Sequence, residues 1–230
     1  FLLPNMSVIS PIRPGEIRLV VEGENISGFE MPIVEKDNIL LSISIVKEYI
    51  DPKIYWDANE NKIIITTEDK VIRMKTDNLT AMVNAQPVDI NIPVRVIDDI
   101  PYVPTDLLGD LFDVEIKWVK ETNTVIIDYK EHVQRIGEVI SSRAKVRREP
   151  SIKSPIYVDG FQEGQVVRVF EEDEKWCKVR TEEGIVGYVE KRFLKVTLAE
   201  VKGISYDESE TSAWKPEKGK INMVWEYVYR

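Results

Sequence analysis

The sequence predicts a β-rich α+β chain: duplicated units of antiparallel sheet plus one short helix, followed by a small β-barrel. Two observations carry that prediction. The stretch from Leu40 to Ile65 returns without a gap from Tyr102 to Ile127, at a constant offset of 62 residues that superposes Asp51 on Asp113, Trp56 on Trp118 and Asn61 on Asn123. Beyond residue 137, short alternating segments punctuated by Gly164, Gly184 and Gly187 take over for about 60 residues, the pattern of a small barrel.

Residues 1–15 hold three prolines and no periodicity, and read as a linker. From Glu16 a strand (IRLVVE) meets a turn at Gly23, then an extended piece runs to Met31-Pro32; the second copy opens alike, with TAMVN, a turn around Ala85–Pro87, and VDINIPVRV. Ile45, Val46, Tyr49 and Ile50 match Leu107, Leu108, Leu111 and Phe112, and this i, i+1, i+4, i+5 spacing is the apolar face of a short amphipathic helix. A strand follows with Ile54 and Trp56 on one side and Lys53 and Tyr55 on the other. A polar turn over residues 57–61 leads into the apolar strand Ile63–Ile65. Between the copies, ITTEDKVIRMKTD alternates as a hairpin, Val71, Arg73 and Lys75 against Ile72, Met74 and Thr76. The repeats are expected at about 16–67 and 68–130, each helix packing on a small sheet so that both bury their apolar faces. Residues 131–137 read as a connector, the barrel as 136–197, and residues 198–230 as a polar linker leading into a further apolar strand.

The whole chain narrows the function. At 230 residues with 43% hydrophobic content it suits two or three globular domains, and no run is long and apolar enough for a membrane span. The net charge is −9, concentrated in residues 1–135 with 14 basic and 23 acidic side chains, while residues 136–197 carry 12 and 11. An acidic front half without a basic stripe repels a phosphate backbone, so nucleic acid is excluded as the expected partner. The lone cysteine, Cys177, permits no internal disulfide. The start lacks the basic and apolar regions of an intact signal peptide, and the two ends read as those of a fragment.

Residue by residue, most candidates read as structure. Trp56 and Trp118 are in phase with strand isoleucines and are expected in the core. Cys177 is a packing residue, Glu171–Glu174 a charged hairpin loop, and His132 a connector residue. Asp98-Asp99 and Asp110/Asp113 lie where solvated carboxylates belong, so no pair reaches the standard of an acid and a base. Trp176, Tyr157, Tyr188 and Arg147 are the candidates for ligand binding: three aromatics beside predicted strand and loop edges, with Arg147 a cation suited to a carboxylate. The competing reading keeps Trp176 structural and Arg147 on a solvated face.

Three resemblances bear on function. The order strand, turn, Pro-containing extended piece, Tyr102-Val103-Pro104, short helix and a strand ending at Trp118 resembles the stalk-like repeats named after the N-terminal domain of copper amine oxidases. Asn84, Pro93, Leu107, Leu108 and Val125–Ile127 match as well. The first copy departs with Leu40-Leu41-Ser42 and Asp51-Pro52, and Ala85 replaces a glycine. Copper and quinone chemistry needs several histidines, and His132 is the only one, so no cofactor is expected. Ala144–Arg147, Glu149–Ser151, Gly164, Val167, Val169, Trp176, Val179, Gly184, Gly187–Val189 and Phe193-Leu194 together resemble the bacterial SH3-like domain. That resemblance implies an SH3-like β-barrel of a kind appended to cell-wall enzymes. Lys218–Asn222 and the strand reaching Trp225 are similar to the first barrel strand of family 18 glycoside hydrolases, although the D-x-x-D-x-D-x-E carboxylates of that family are absent from this chain.

Taken together, the expectation is a non-catalytic targeting and spacer region of an exported bacterial wall hydrolase, extracellular and wall- or spore-associated. Its expected partner is peptidoglycan or another cell-wall polymer, and self-association is expected through the stalk-like units. The alternative is a protein–protein scaffold of a spore coat or surface layer without glycan affinity.

Overall fold

The computed structural model describes residues 7–8, 15–131 and 133–200. The expectations for His132 and for the strand preceding Trp225 fall outside the described residues. Strand content dominates, and the described residues divide between two compact units split after Tyr129, with the two-residue strand β1 (Ser7–Val8) joining the second.

The first unit begins with the hairpin β2 (Arg18–Val21)–β3 (Glu24–Ile26) and the hairpin β4 (Ile33–Glu35)–β5 (Asn38–Ser42), followed by α1 (Ile43–Tyr49). It continues through β6 (Tyr55–Asp57), β7 (Lys62–Thr66), β8 (Val71–Lys75), β9 (Thr80–Val83) and β10 (Gln86–Asp89). The chain then forms β11 (Arg95–Ile97), β12 (Ile100–Pro104), α2 (Leu108–Leu111), β13 (Val114–Val119) and β14 (Thr124–Tyr129). The helices occur where the apolar spacing places them. Ser42 caps α1, its Oγ accepting from the Ile45 amide at 3.4 Å, and the helix runs seven residues. The equivalent position in the second copy is Pro104, with no such cap, and α2 runs only four. Asp51 and Asp113 also part company. Asp113 sits in the left-handed region at φ 50°, whereas Pro52 disfavours helical conformations at Asp51, whose buried carboxylate accepts from the Lys53 amide at 2.9 Å.

The two copies do not fold side by side; they exchange strands. β5 of the first pairs with β12 of the second to make the sheet β11-β12-β5-β4. Its register is unchanged when the copies are interchanged. Tyr102 faces Ser42 and Pro104 faces Leu40, with the equivalent residues Leu41 and Val103 opposite each other at the centre. A pseudo-twofold axis therefore passes through the Leu41–Val103 pair, both side chains fully buried. The other two sheets follow from the same exchange. β14, the last strand of the second copy, lies beside β2, the first strand of the first, in the order β13-β14-β2-β3. This pairing is parallel, the one departure from the antiparallel expectation among the sheets of this unit. In the order β10-β9-β8-β7-β6, the linking strand β8 is interposed between the equivalents β9 and β7. One apolar core serves both copies, including Leu19, Ile45, Ile63, Ile72, Val103, Leu108 and Val125, with Trp56 and Trp118 packed against it as expected. Sharing has a plain cause: one helix of four to seven residues and a few short strands bury too little surface to be stable alone.

The second unit opens with β15 (Val133–Val139), where a connector was expected. Its residues VQRIGEV bury only Gly137 and Val139, so composition gives no strand signal. Pairing with distant segments makes the strand instead. After it come β16 (Val146–Arg147), β17 (Ile156–Asp159), β18 (Val166–Glu172), β19 (Trp176–Arg180), β20 (Val186–Glu190) and β21 (Leu194–Glu200). They join in the order β1-β17-β16-β20-β19-β18-β15-β21, the small SH3-like barrel that the turn glycines and the motif resemblance together anticipate. Val146, Val158, Val167, Val169, Cys177, Val179, Ile185 and Val189 are all buried. Among the described residues, no helix is long and apolar enough to cross a membrane.

Candidate functional site

The barrel face that carries the candidate aromatics is set by the period of two on β19. Cys177 and Val179 turn to the core, and Trp176, Lys178 and Arg180 lie on the other face, Trp176 half-buried and Lys178 and Arg180 themselves buried. Cross-strand register then fixes their neighbours. Trp176 lies opposite Glu190, Lys178 opposite Tyr188 and Arg180 opposite Val186. Tyr188 in turn lies opposite Arg147 on β16. Three of the four candidates, Trp176, Tyr188 and Arg147, thus share one face of three adjacent strands, with Tyr188 in a diagonal position to Trp176, at about 7 Å by sheet geometry. Trp176, Tyr188 and Arg147 are all half-buried.

Tyr157 is placed differently. Val158 pairs with Val146 while Ile156 pairs with Arg147, so Tyr157 is the extra residue of a β-bulge on β17, separated from Tyr188 by β16. No strand pairing brings it to Trp176.

Local chemistry holds the face in shape. The Asp173 carboxylate accepts from the amides of Lys175 (2.7 Å) and Trp176 (2.8 Å), setting the hairpin turn that delivers Trp176. Those two bonds, Lys175 first, hold the Asp173 carboxyl below its ordinary value. Two further members of the acidic run are paired in place: Glu171 meets Lys178 at 3.2 Å and Glu172 meets Lys191 at 2.6 Å. On the other side, Arg147 donates through Nη1 to the Ser154 carbonyl at 2.8 Å, and Ser154 Oγ accepts from the Glu149 amide at 2.9 Å. Arg147 is therefore tied to its own turn by one donor and retains others of the five a guanidinium carries.

Gly187 is what lets β20 close on β16. A Cβ at this position would lie 2.4 Å from the Arg147 carbonyl oxygen and 2.5 Å from Val146 Cγ1. The glycine of the expected barrel motif is thus required by close approach rather than by backbone conformation. Behind this face, burial pushes the Cys177 thiol up to about 11, which makes it a poor nucleophile at neutral pH.

Two features escaped the sequence reading. The guanidinium groups of Arg168 and Arg180 both lie over the Phe170 ring, at 4.8 and 5.4 Å from its centre. Arg168 pairs with Arg180, and Phe170 is the extra residue of the bulge between Val169 and Glu171, a displacement that no local pattern announces. In the repeat unit, the register Tyr55–Ile64–Arg73–Met82–Pro87 aligns five residues across the outer face of the five-stranded sheet. Tyr55 is 59% exposed and Met82 37%. A groove of about 310 Å³ in the same unit is lined by Glu35, Asn38, Asp77, Asn91 and Arg95, among others, but Arg95 spans it with ion pairs to Glu35 (3.3 Å) and Asp77 (2.8 Å). Among the described residues, no three His, Cys, Asp or Glu side chains are grouped to hold a metal.

Against this geometry, residues 20–127 match the family described as copper amine oxidase N-terminal domain, a single match spanning both sequence copies. Residues 142–195 match the family described as bacterial SH3 domain. No curated protein matches the chain. The two matched domains are non-catalytic modules, and the bacterial SH3 match indicates a cell-wall-binding or protein-interaction module.

Proposed function

We propose that this chain is a wall-targeting and spacer region of an exported bacterial hydrolase, and that it binds cell-wall glycan or peptide through its barrel. The observation that carries this reading is the alignment of Trp176, Tyr188 and Arg147 on one face of a barrel matching bacterial SH3 domains. The two half-buried rings supply apolar area at low entropic cost, and the remaining Arg147 donors suit a carboxylate of a wall peptide. A shallow surface with so few polar contacts binds weakly, and avidity from further modules on the parent protein compensates. The hydrolase parent rests on the resemblance of Lys218–Asn222 and the following strand to family 18 glycoside hydrolases, and the extracellular, wall- or spore-associated location follows from the same reading.

The test is co-sedimentation of the whole chain with purified peptidoglycan at low and high salt, with Trp176→Ala alongside and its fold checked by circular dichroism. Salt-resistant binding lost in the folded variant supports the reading. Absence of binding at both salt concentrations refutes it.

A second reading has its own observation. The row Tyr55, Ile64, Arg73, Met82 and Pro87 gives the repeat unit an exposed apolar strip interrupted by one cation, a surface suited to another protein. Folding that face onto a second copy about a twofold axis at its central strand would set Arg73 against Arg73. The strip therefore favours a different, acidic partner over self-association by this face.

A further inference from the structure

We infer that the repeat unit is a clamp that resists tension and the barrel a weaker element that opens first when the chain is pulled from its two ends. The inference rests on strand topology and on the bonding and burial of the terminal ladders, and is independent of what the barrel binds. The chain enters the repeat unit at the N-terminal end of β2 and leaves it at the C-terminal end of β14. These two strands are direct neighbours and run parallel, with Arg18 opposite Thr124 and Val21 opposite Ile127. Tension draws β2 and β14 in opposite directions along their common axis. Every hydrogen bond between them is loaded at the same time, and none can break without the others.

The clamp is also closed at both ends and dry in between. Backbone bonds join the Arg18 amide to the Asn123 carbonyl and the Glu22 amide to the Ile127 carbonyl, each at 2.9 Å. The Glu22 carboxylate accepts from the Tyr129 amide at 2.6 Å. Val20 and Ile126, facing each other at the middle of the ladder, are 0% and 1% exposed. Water cannot readily replace a stretched bond there, so the intramolecular bonds are not exchanged for solvent ones as they yield.

The barrel is held in the contrasting way. The chain enters at Val133 and leaves at Glu200, and these two residues are directly opposite in the antiparallel ladder of β15 and β21. Tension parts the strands at that shared end, so the seven paired positions open one after another, beginning with Val133–Glu200. The outer part of this ladder is accessible to water, Val133 and Arg135 being exposed. The two-residue pairing of β1 with β17 is too short to carry load and yields before either unit.

Single-molecule stretching of the full chain with handles at its two ends separates the two units by length. Residues 18–129 and 133–200 release about 380 Å and about 230 Å of chain, at roughly 3.5 Å per residue less the folded span. The expected record shows the short extension first and the long one at a force at least about twofold higher, since forced unfolding reads the unfolding barrier. A second geometry isolates the cause. Glu24→Cys places an exposed thiol handle just beyond the hairpin turn after β2, while the native Cys177 is fully buried and inaccessible to the coupling reagent. Pulling from there loads β2 and β14 at the same end, so the ladder peels, and the long-extension force is expected to fall to the level of the short one. Long extensions at or below the force of the short ones overturn the inference. So does a long-extension force that is unchanged when the handle moves.

Discussion

Replacing Gly187 with alanine tests the claim that the proposed binding face depends on the closure of β20 against β16. The added methyl would sit 2.4 Å from the Arg147 carbonyl oxygen and 2.5 Å from Val146 Cγ1, more than 1 Å inside ordinary contact, at roughly 3.5 Å or beyond. Neither side can retreat freely. Arg147 and Val146 are held from behind by pairing to β17, and Gly187 is held by its pairing to Val179 on β19. Overpacking against such a backbone costs about 3 kcal/mol, at the upper end of its usual range. The lower chain entropy of the unfolded alanine variant returns up to about 1 kcal/mol, because φ at Gly187 is not in the left-handed region. The net loss is about 2 kcal/mol, or about a 30-fold larger open population at 1.4 kcal/mol per tenfold. Cys177 reports it directly. It is the only thiol, is fully buried, and reacts only when the barrel opens. Under conditions in which closing outpaces labelling, its reaction with a thiol reagent should accelerate about 30-fold in Gly187→Ala. The same variant should lose the wall binding proposed above, since the Arg147–Tyr188 register is what the methyl disturbs. A labelling rate within threefold of the parent chain would refute the packing argument.

Two further outcomes follow from local geometry. Asn84 and Ala85 form the turn between β9 and β10 with φ of 47° and 64°, a conformation that suits Asn-Gly and strains alanine, so Ala85→Gly should stabilise the repeat unit by about 0.5–1 kcal/mol after the entropy of glycine is deducted, read by urea denaturation. In the barrel, the Lys145 ammonium bonded to Asp159 is the first cause holding that carboxyl below its ordinary value, opposed by burial and aided by the Gly160 amide. A depressed folded pKa contributes stability above the unfolded carboxyl value of about 3.9 and loses it as pH falls through the folded value, so acid unfolding of the barrel below about pH 4 should be less steep in Asp159→Asn.

The features legible in the sequence are those encoded locally. Helix spacing placed Ile45, Val46 and Leu108 in the core, and alternation placed Ile72 and Met74 inside with Arg73 and Lys75 outside, as the burial shows. β19 runs over Trp176–Arg180, the segment whose alternation announces it. Asn61 and Asn123, matched by the repeat, occupy the same left-handed conformation at φ 48°, and Trp118 Nε1 donates to Asn123 Oδ1 at 3.0 Å. The candidate face was legible only in part. Trp176, Tyr188 and Arg147 could be named from turn signals, but their shared face depends on the register of three strands, and Tyr157 was displaced by a bulge that no residue type marks.

What the repeat concealed is the exchange of strands between its copies, and the concealment has a physical basis. A duplicated sequence specifies which faces are apolar, and it specifies them identically twice. It does not say whether Leu19 covers its own copy's helix or completes a sheet with Val125, because either arrangement buries the same residues. Topology decides between them. Only exchange lets β5 and β12 pair about an axis through Leu41 and Val103 and places both copies on one core of useful size. The same choice sets β2 beside β14, the first strand of the unit against its last. Had each copy closed on itself, no single ladder would join the two ends of residues 18–129, and tension would pass from one copy to the next. The resistance inferred for this unit is therefore a consequence of duplication followed by exchange, and it is absent from the properties of either copy alone.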